Sequence, residues 1–265
     1  MAMRRRGLSD GTVAARRGVL VRFRAYLADH GLAYDTVRAE QVEQWIDSCS
    51  MVPSTRYGLV SHLHAFYVWA MRAGAADYDP TVLIERPRLK TRLPRPIHAA
   101  DLAIAVGMAE GPMLVALLLA AGSGLRCCEI ARLRWDDIHD GRARVFGKGS
   151  KERVVPLHPQ AVTALDELPR TSVFVLDGWL RRYDRDNPGR HTSRLISEYL
   201  HGFGISATAH QLRHYAGTFA YRGTKDLRAV QQLLGHASPA TTAIYTALDV
   251  DDLVSAVNSI PIPSG

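Results

Sequence analysis

Lysine is scarce in this chain. Among its 33 basic residues only Lys90, Lys148, Lys151 and Lys225 are lysine, which leaves 29 arginines in 265 positions. The bias suits phosphate, whose oxygens a planar guanidinium meets with two parallel hydrogen bonds. A GC-rich genome produces the same bias, and composition does not choose between the two. Cysteine is scarcer: Cys49, Cys127 and Cys128 are odd in number and two are adjacent. That pattern argues against a disulfide framework and fits a reducing compartment. Long apolar runs are missing as well. The longest, residues 113–121, falls short of the roughly 20 residues that cross a bilayer, and residues 1–6 lack the apolar core of a secretory signal. These absences lead us to expect a soluble cytoplasmic protein with no membrane partner.

What the chain has is positive charge and helical patterning. The formal net charge is +7 and the pI about 9.5, a balance that suits a polyanionic partner and says nothing of fold. Its length suits one large domain or two modest ones. Residues 9–74 read as helices alone. Asp10 is placed to cap a first helix with Val13, Leu20, Phe23 and Leu27 on its apolar side. Thr36 is placed to cap a second with Val42, Trp45 and Ile46, and a third carries Val60, Leu63, Phe66, Tyr67 and Ala70 up to Gly74. Residues 1–92 hold 14 basic against 9 acidic residues, so most of the excess charge lies there. Arg16, Arg17, Arg22, Arg24, Arg56, Arg72 and Arg92 are candidate contacts to a DNA backbone, giving salt-sensitive affinity without sequence information. Any one of them taken alone reads equally as a solvated helix face.

From residue 79 to residue 96 prolines alternate with arginines, a composition that forbids a regular helix and keeps the chain extended. We expect three parts: a helical domain over 1–78, a linker over 79–96, and a second, larger domain over 97–265. After the linker, 99–110 and 112–121 read as helices, and Gly122, Ser123 and Gly124 deliver Arg126 to the mouth of a short helix over 127–133. Residues 142–146 and 153–157 alternate apolar with polar around a Gly-Lys-Gly turn, a β-hairpin with Lys148 at its tip. Residues 181–190 read as a charged loop and 194–202 as a helix.

The chemistry concentrates in residues 210–246. His210 and Arg213 stand three positions apart on a helical segment and share a face. Leu227, Val230, Leu233 and Leu234 recur at helical spacing and stop at Gly235, which places His236 just past a helix end. Ser238 and Pro239 start another helix, with Tyr245 about two turns into it. A phenol, with its pKa near 10, becomes a useful nucleophile only beside a base or in a strongly positive pocket. Two imidazoles and a guanidinium supply that pocket, so tyrosine attack on a phosphodiester is the natural reading. His210 and His214 have zinc-like spacing, but Gln211 replaces the glutamate of the H-E-x-x-H pattern and no third ligand is evident.

This segment resembles the tyrosine recombinases, the phage-integrase family, in its H-x-L-R-H, its Leu-Gly-His, and a tyrosine nine residues past that histidine. Upstream, the string G-L-R-x-x-E-I-x-x-L-x-W-x-D-I, with Arg126, Glu129, Leu133, Trp135, Asp137 and Ile138 in register, is similar to the family's first arginine box. The resemblance implies a mainly α fold with a small β-sheet: a SAM-like helical core-binding domain followed by an α+β catalytic domain. It implies a catalytic set of Tyr245 as nucleophile with Arg126, Lys148, His210, Arg213 and His236, no cofactor and no metal. The implied partners are double-stranded DNA core sites and three further copies of the chain, joined on two sites by exchange of a C-terminal tail whose helix we expect over 250–257. A bending or directionality factor is a further partner of some members. Gln211, Gly217 and Thr218 depart from the common pattern at positions that are not catalytic. Two roles are compatible with these residues, the integrase of a phage or other mobile element and an Xer-type resolvase. A DNA-binding protein of the same fold that no longer cuts would have little reason to keep all six residues, and a relaxing topoisomerase would not need the tail.

Overall fold

The computed structural model describes residues 8, 10–87, 95–147, 152–177, 188–235 and 242. The chain divides into two compact units, Met1–Thr91 and Arg92–Gly265.

The first unit is built from α1 (Asp10–Asp29), α2 (Ala39–Ser48) and α3 (Pro53–Arg72). Val19, Phe23 and Leu27 recur every fourth residue and are buried, so one stripe of α1 faces inward. They meet Val42, Trp45 and Ile46 of α2 and Val60, Leu63 and Tyr67 of α3 in one core, with the Phe23 and Trp45 ring centroids 4.8 Å apart. Tyr67 is fully buried, and its hydroxyl donates to the Tyr34 carbonyl at 3.0 Å. The cap of α2 differs from expectation. Thr36 lies in the preceding turn, and the backbone N–H of the capping residue Arg38 donates instead to Oε1 of Gln41 at 2.9 Å. The proline-rich stretch also begins differently, as a 3-10 turn over Pro80–Leu83 and not as extended chain. Asp79 causes this: its carboxylate accepts the Thr81 N–H at 2.8 Å and the Thr81 hydroxyl at 2.6 Å, while its other oxygen meets Nδ1 of His64 at 2.6 Å. Ile84 then packs into the same core. Arg92 lies outside the described residues.

The second unit runs α4 (Ala99–Gly107), α5 (Gly111–Ala121), α6 (Cys127–Ile130), β1 (Ile138–His139), β2 (Arg142–Phe146), β3 (Glu152–Pro156), α7 (Pro159–Asp166), α8 (Pro188–Gly202), α9 (Ala209–Thr224) and α10 (Leu227–Leu234). Val115 to Ala121 are buried on every side of α5, so this helix is the centre of the unit, with α7 and α9 packed on it. The strands form one antiparallel sheet in the order β1-β2-β3. Ala143, Val145 and Val155 point into the core and Arg142, Arg144, Phe146 and Val154 point out, the alternation expected of a sheet covered on one face. The fold is mainly α with this small sheet, as the resemblance implies. Among the described residues no helix is long and apolar enough to cross a membrane.

Three local expectations are corrected. The helix after Arg126 ends at Ile130, not residue 133, and Trp135–Asp137 forms a 3-10 turn. The two-residue strand β1 was not expected; it turns at Asp140 and Gly141 to pair with β2. Helix α8 starts at Pro188, inside the stretch read as a charged loop. Proline fits the first turn of a helix, and burial of His191, Thr192, Ile196 and Leu200 holds the early turns to the core against their polar sequence.

Candidate active site

The loop from α5 to α6 is fixed before any charge is considered. Ser123 is fully buried, and its hydroxyl oxygen accepts the His158 backbone N–H at 3.0 Å. Gly124 follows in the left-handed region at φ +65°, where a Cβ would stand 2.8 Å from Cδ2 of Leu234. Only a residue without a side chain brings the loop this close to α10. Arg126 is then the residue at which α6 begins.

Glu129 is the hub of the site. Its side chain has no solvent exposure, and one oxygen accepts the Arg126 backbone N–H at 2.8 Å while the other accepts Nη1 of the same arginine at 2.8 Å. Arg153, projecting from β3, grips both oxygens from the other side: Nη1 to Oε1 at 2.7 Å and Nη2 to Oε2 at 2.9 Å. Arg213, projecting from α9, brings Nη1 within 4.0 Å of Oε2. Burial alone raises a carboxyl pKa, but the hydrogen bonds from Arg153 and from the Arg126 N–H, with the charges of both guanidiniums, outweigh it and hold Glu129 below the ordinary carboxylate value. One carboxylate thus sits among three guanidiniums, and the cluster keeps a surplus of positive charge.

The arginines also converge on the C-terminal end of α10. Nη2 of Arg126 donates to the Gly235 carbonyl at 3.0 Å, Nε of Arg153 donates to the Leu233 carbonyl at 3.2 Å, and Arg213 donates to the carbonyls of Gly124 and Leu234. Carbonyls at a helix end carry partial negative charge and lack intrahelical donors, so this end is a natural anchor for the three cations. Gly235 closes α10 in the left-handed region at φ +59°. Arg126 spends only two of its five N–H donors on these contacts, and a third of its side chain is exposed. Arg213 is buried. Of these two, Arg126 is the more open to an incoming anion.

His210 lies one turn before Arg213 on α9 and keeps contact with solvent. Desolvation of its ring, then the charges of Arg213 and Arg126, lower its pKa below the usual imidazole value. His214, one turn further on, stands with its ring 4.3 Å from that of His210 at 70°. Burial, His210 and Arg213 lower its pKa to about 4. Both rings are therefore neutral near pH 7, and a neutral imidazole can accept a proton. Among the described residues no group of three or more His, Cys, Asp or Glu could hold a metal ion.

The structure thus brings Arg126, His210 and Arg213 together. Lys148, His236 and Tyr245 lie outside the described residues, as do the Ser238 helix start and the tail helix expected over 250–257. Glu129 was noted in the sequence only as a matching position, and Arg153 was missed. A signal for Arg153 existed: it shares the inward face of β3 with Val155 and pairs across the sheet with Val145, and a charge in a core-facing slot needs a buried partner. In the first unit Arg17, Arg22, Arg24 and Arg72 are exposed. Arg56 is engaged instead with Asp47 and, at 3.9 Å, with Glu43. Arg16 is half-buried, close enough to His62 to depress its pKa after desolvation.

The Phage integrase family model matches residues 107–251, more than half of the chain. The chain belongs to the phage integrase family. The family's N-terminal SAM-like domain model matches residues 2–74. Tyrosine recombinase XerC of Rhodospirillum centenum is 33% identical over 94% of this chain and 81% of its own length. An integrase from mycobacterium phage Brujita is 28% identical over 96% of this chain and 88% of its own, with a TM-score of 0.50. A λ integrase dimer bound to a COC′ core site shares the fold at a TM-score of 0.70, with 18% identity over 91% of this chain and 89% of its own. The chain is accordingly a tyrosine recombinase, an enzyme that cleaves and rejoins DNA.

Proposed function

We propose that this recombinase exchanges strands at a specific DNA site through a 3′-phosphotyrosine, as the integrase of a phage or other mobile element. The convergence of Arg126 and Arg213 on one carboxylate and one helix end carries the reading, because it fixes two cations immediately before His236 in the chain. In this reading Arg126 and Arg213 hold the non-bridging oxygens of the scissile phosphate and stabilise the charge that grows on them in the pentavalent transition state. His236 adds a hydrogen bond. The Tyr245 oxygen bonds to phosphorus as the bond to the 5′ oxygen breaks, and Lys148 gives its proton to that departing oxygen. His210, neutral near pH 7, takes the phenolic proton and returns it when another strand's 5′ hydroxyl reverses the step. The covalent intermediate conserves the phosphodiester, so ATP is not consumed.

The same reading assigns 1–78 to core-site binding, 79–96 to a linker and 97–265 to catalysis, with a homotetramer joined on two sites by its C-terminal tails. Deleting residues 249–265 is expected to leave site binding intact and weaken synapsis, and unchanged recombination by the truncated protein would contradict the tail's role. Similarity to the Brujita phage integrase supports the mobile-element role. Similarity to XerC supports a second reading, an Xer-type resolvase. Recombination assays on DNA flanking the gene separate the two. An integrase recombines an attachment site beside its own gene; a resolvase of the Xer type has no attachment site there and usually works with a second, related recombinase.

A further inference from the structure

We propose that Arg153 is a positioning residue for the cleavage step, acting through Glu129 to keep the Arg126 and Arg213 guanidiniums in place for the phosphate. The inference rests on the functional reading above and adds to it a residue on a strand that the reading does not use. Arg153 has all three of its guanidinium nitrogens engaged within the protein. Its guanidinium takes both oxygens of Glu129 at 2.7 and 2.9 Å, its Nε takes the Leu233 carbonyl at 3.2 Å, and only 14% of its side chain is exposed. It therefore has little left to offer a substrate, whereas Arg126 keeps three N–H donors.

Its route is built into the backbone. At Gly235 a Cβ would lie 2.9 Å from Cδ, Nε and Cζ of Arg153, so the bare face of that glycine is the passage by which the arginine reaches Glu129. One side chain thereby ties β3 to the start of α6 and to the end of α10.

The charge balance explains why this matters. With Arg153 in place, a bidentate partner satisfies most of the Glu129 charge, and Arg213 stands off at 4.0 Å. Without it, the cations left beside the buried carboxylate among the described residues are Arg126 and Arg213. Both would be drawn towards Glu129, shortening that 4.0 Å separation and moving the two guanidiniums away from an incoming phosphate. The site would still bind DNA through its other contacts, and the transition state would lose its clamp.

A single-turnover test on nicked suicide DNA reads this directly, using the full chain with Arg153→Met, Arg153→Lys, Glu129→Gln and the double variant Glu129→Gln with Arg153→Met. We expect Arg153→Met to slow adduct formation about 10²-fold, the scale of a misplaced catalytic group, with DNA affinity and adduct end-point unchanged. Lysine, which carries the charge but not the fork, should restore part of the rate. In the Glu129→Gln background Arg153→Met should cost little more, because its target is already gone. A 5′-bridging phosphorothiolate, whose sulfur leaves without needing a proton, should leave the gap between wild type and Arg153→Met as wide as before. Full-rate cleavage by Arg153→Met, additive losses in the double variant, recovery on the phosphorothiolate, or a reduced end-point at unchanged rate would each overturn the proposal. No adduct from the wild-type protein on its own attachment site would overturn the functional reading, and this inference with it.

Discussion

Two histidines beside two guanidiniums are an unfavourable place for a proton, and that fact has a thermodynamic consequence. His214 is lowered from 6.5 to about 4 and His210 is lowered in the same direction. The unfolded chain therefore takes up protons at a higher pH than the folded one, and stability rises with pH in that interval. The contribution of the pair is complete above pH 6.5 and is lost as the pH falls from there towards about 4. Glu129 adds the same sign at lower pH, its stabilisation present above the ordinary carboxylate range and lost as its depressed pKa is passed. Thermal melts across this interval should show a falling Tm, with a shallower fall in His214→Phe. A Tm flat from pH 7 to pH 5 would contradict the environment described for these rings. At this scale Arg126, His210 and Arg213 were legible because spacing on a helix fixes direction. Arg153 was not, since its partner Glu129 is 24 positions away and only the folded sheet brings the two together.

Among the elements, the short α6 matters most, because Arg126 caps its start and it has little length to hold itself in place. Its position comes from α8 packed across it and from the loop before it. Gly124 is the sensitive point of that loop. Gly124→Ala places a Cβ at φ +65° and 2.8 Å from Leu234, so we expect a loss of about 1–3 kcal/mol from backbone strain, read as a lower denaturant midpoint, with slower cleavage. An unchanged midpoint would mean that the loop relaxes freely. The helices with a strong apolar stripe were readable in advance, as were the paired halves of the β2–β3 hairpin. Strand β1, two residues long, is below the length at which alternation can be seen. The first turns of α8 read as loop because charges and a proline hid residues that only tertiary packing buries.

On the scale of the molecule, a net charge of +7, of which residues 1–92 carry +5, implies binding that salt weakens. The structure separates the arginines that should matter from one that should not. Arg17 and Arg24 are exposed and share a face of α1 seven residues apart, whereas Arg56 is committed to Asp47 and Glu43. Replacing Arg17 or Arg24 by alanine should weaken binding on all sequences alike and reduce the slope of log affinity against log salt by about 1 each. Arg56→Ala should leave that slope unchanged; a slope reduced equally in all three would mean that Arg56 exchanges its carboxylates for phosphate.

The central claim is that Tyr245 becomes joined to DNA. It is tested most directly by incubating the full chain with nicked suicide DNA carrying its attachment site and looking for a denaturant-stable protein–DNA adduct. The account predicts an adduct with the wild-type protein and none with Tyr245→Phe, although the variant still binds the site. An adduct that persists in Tyr245→Phe would contradict it.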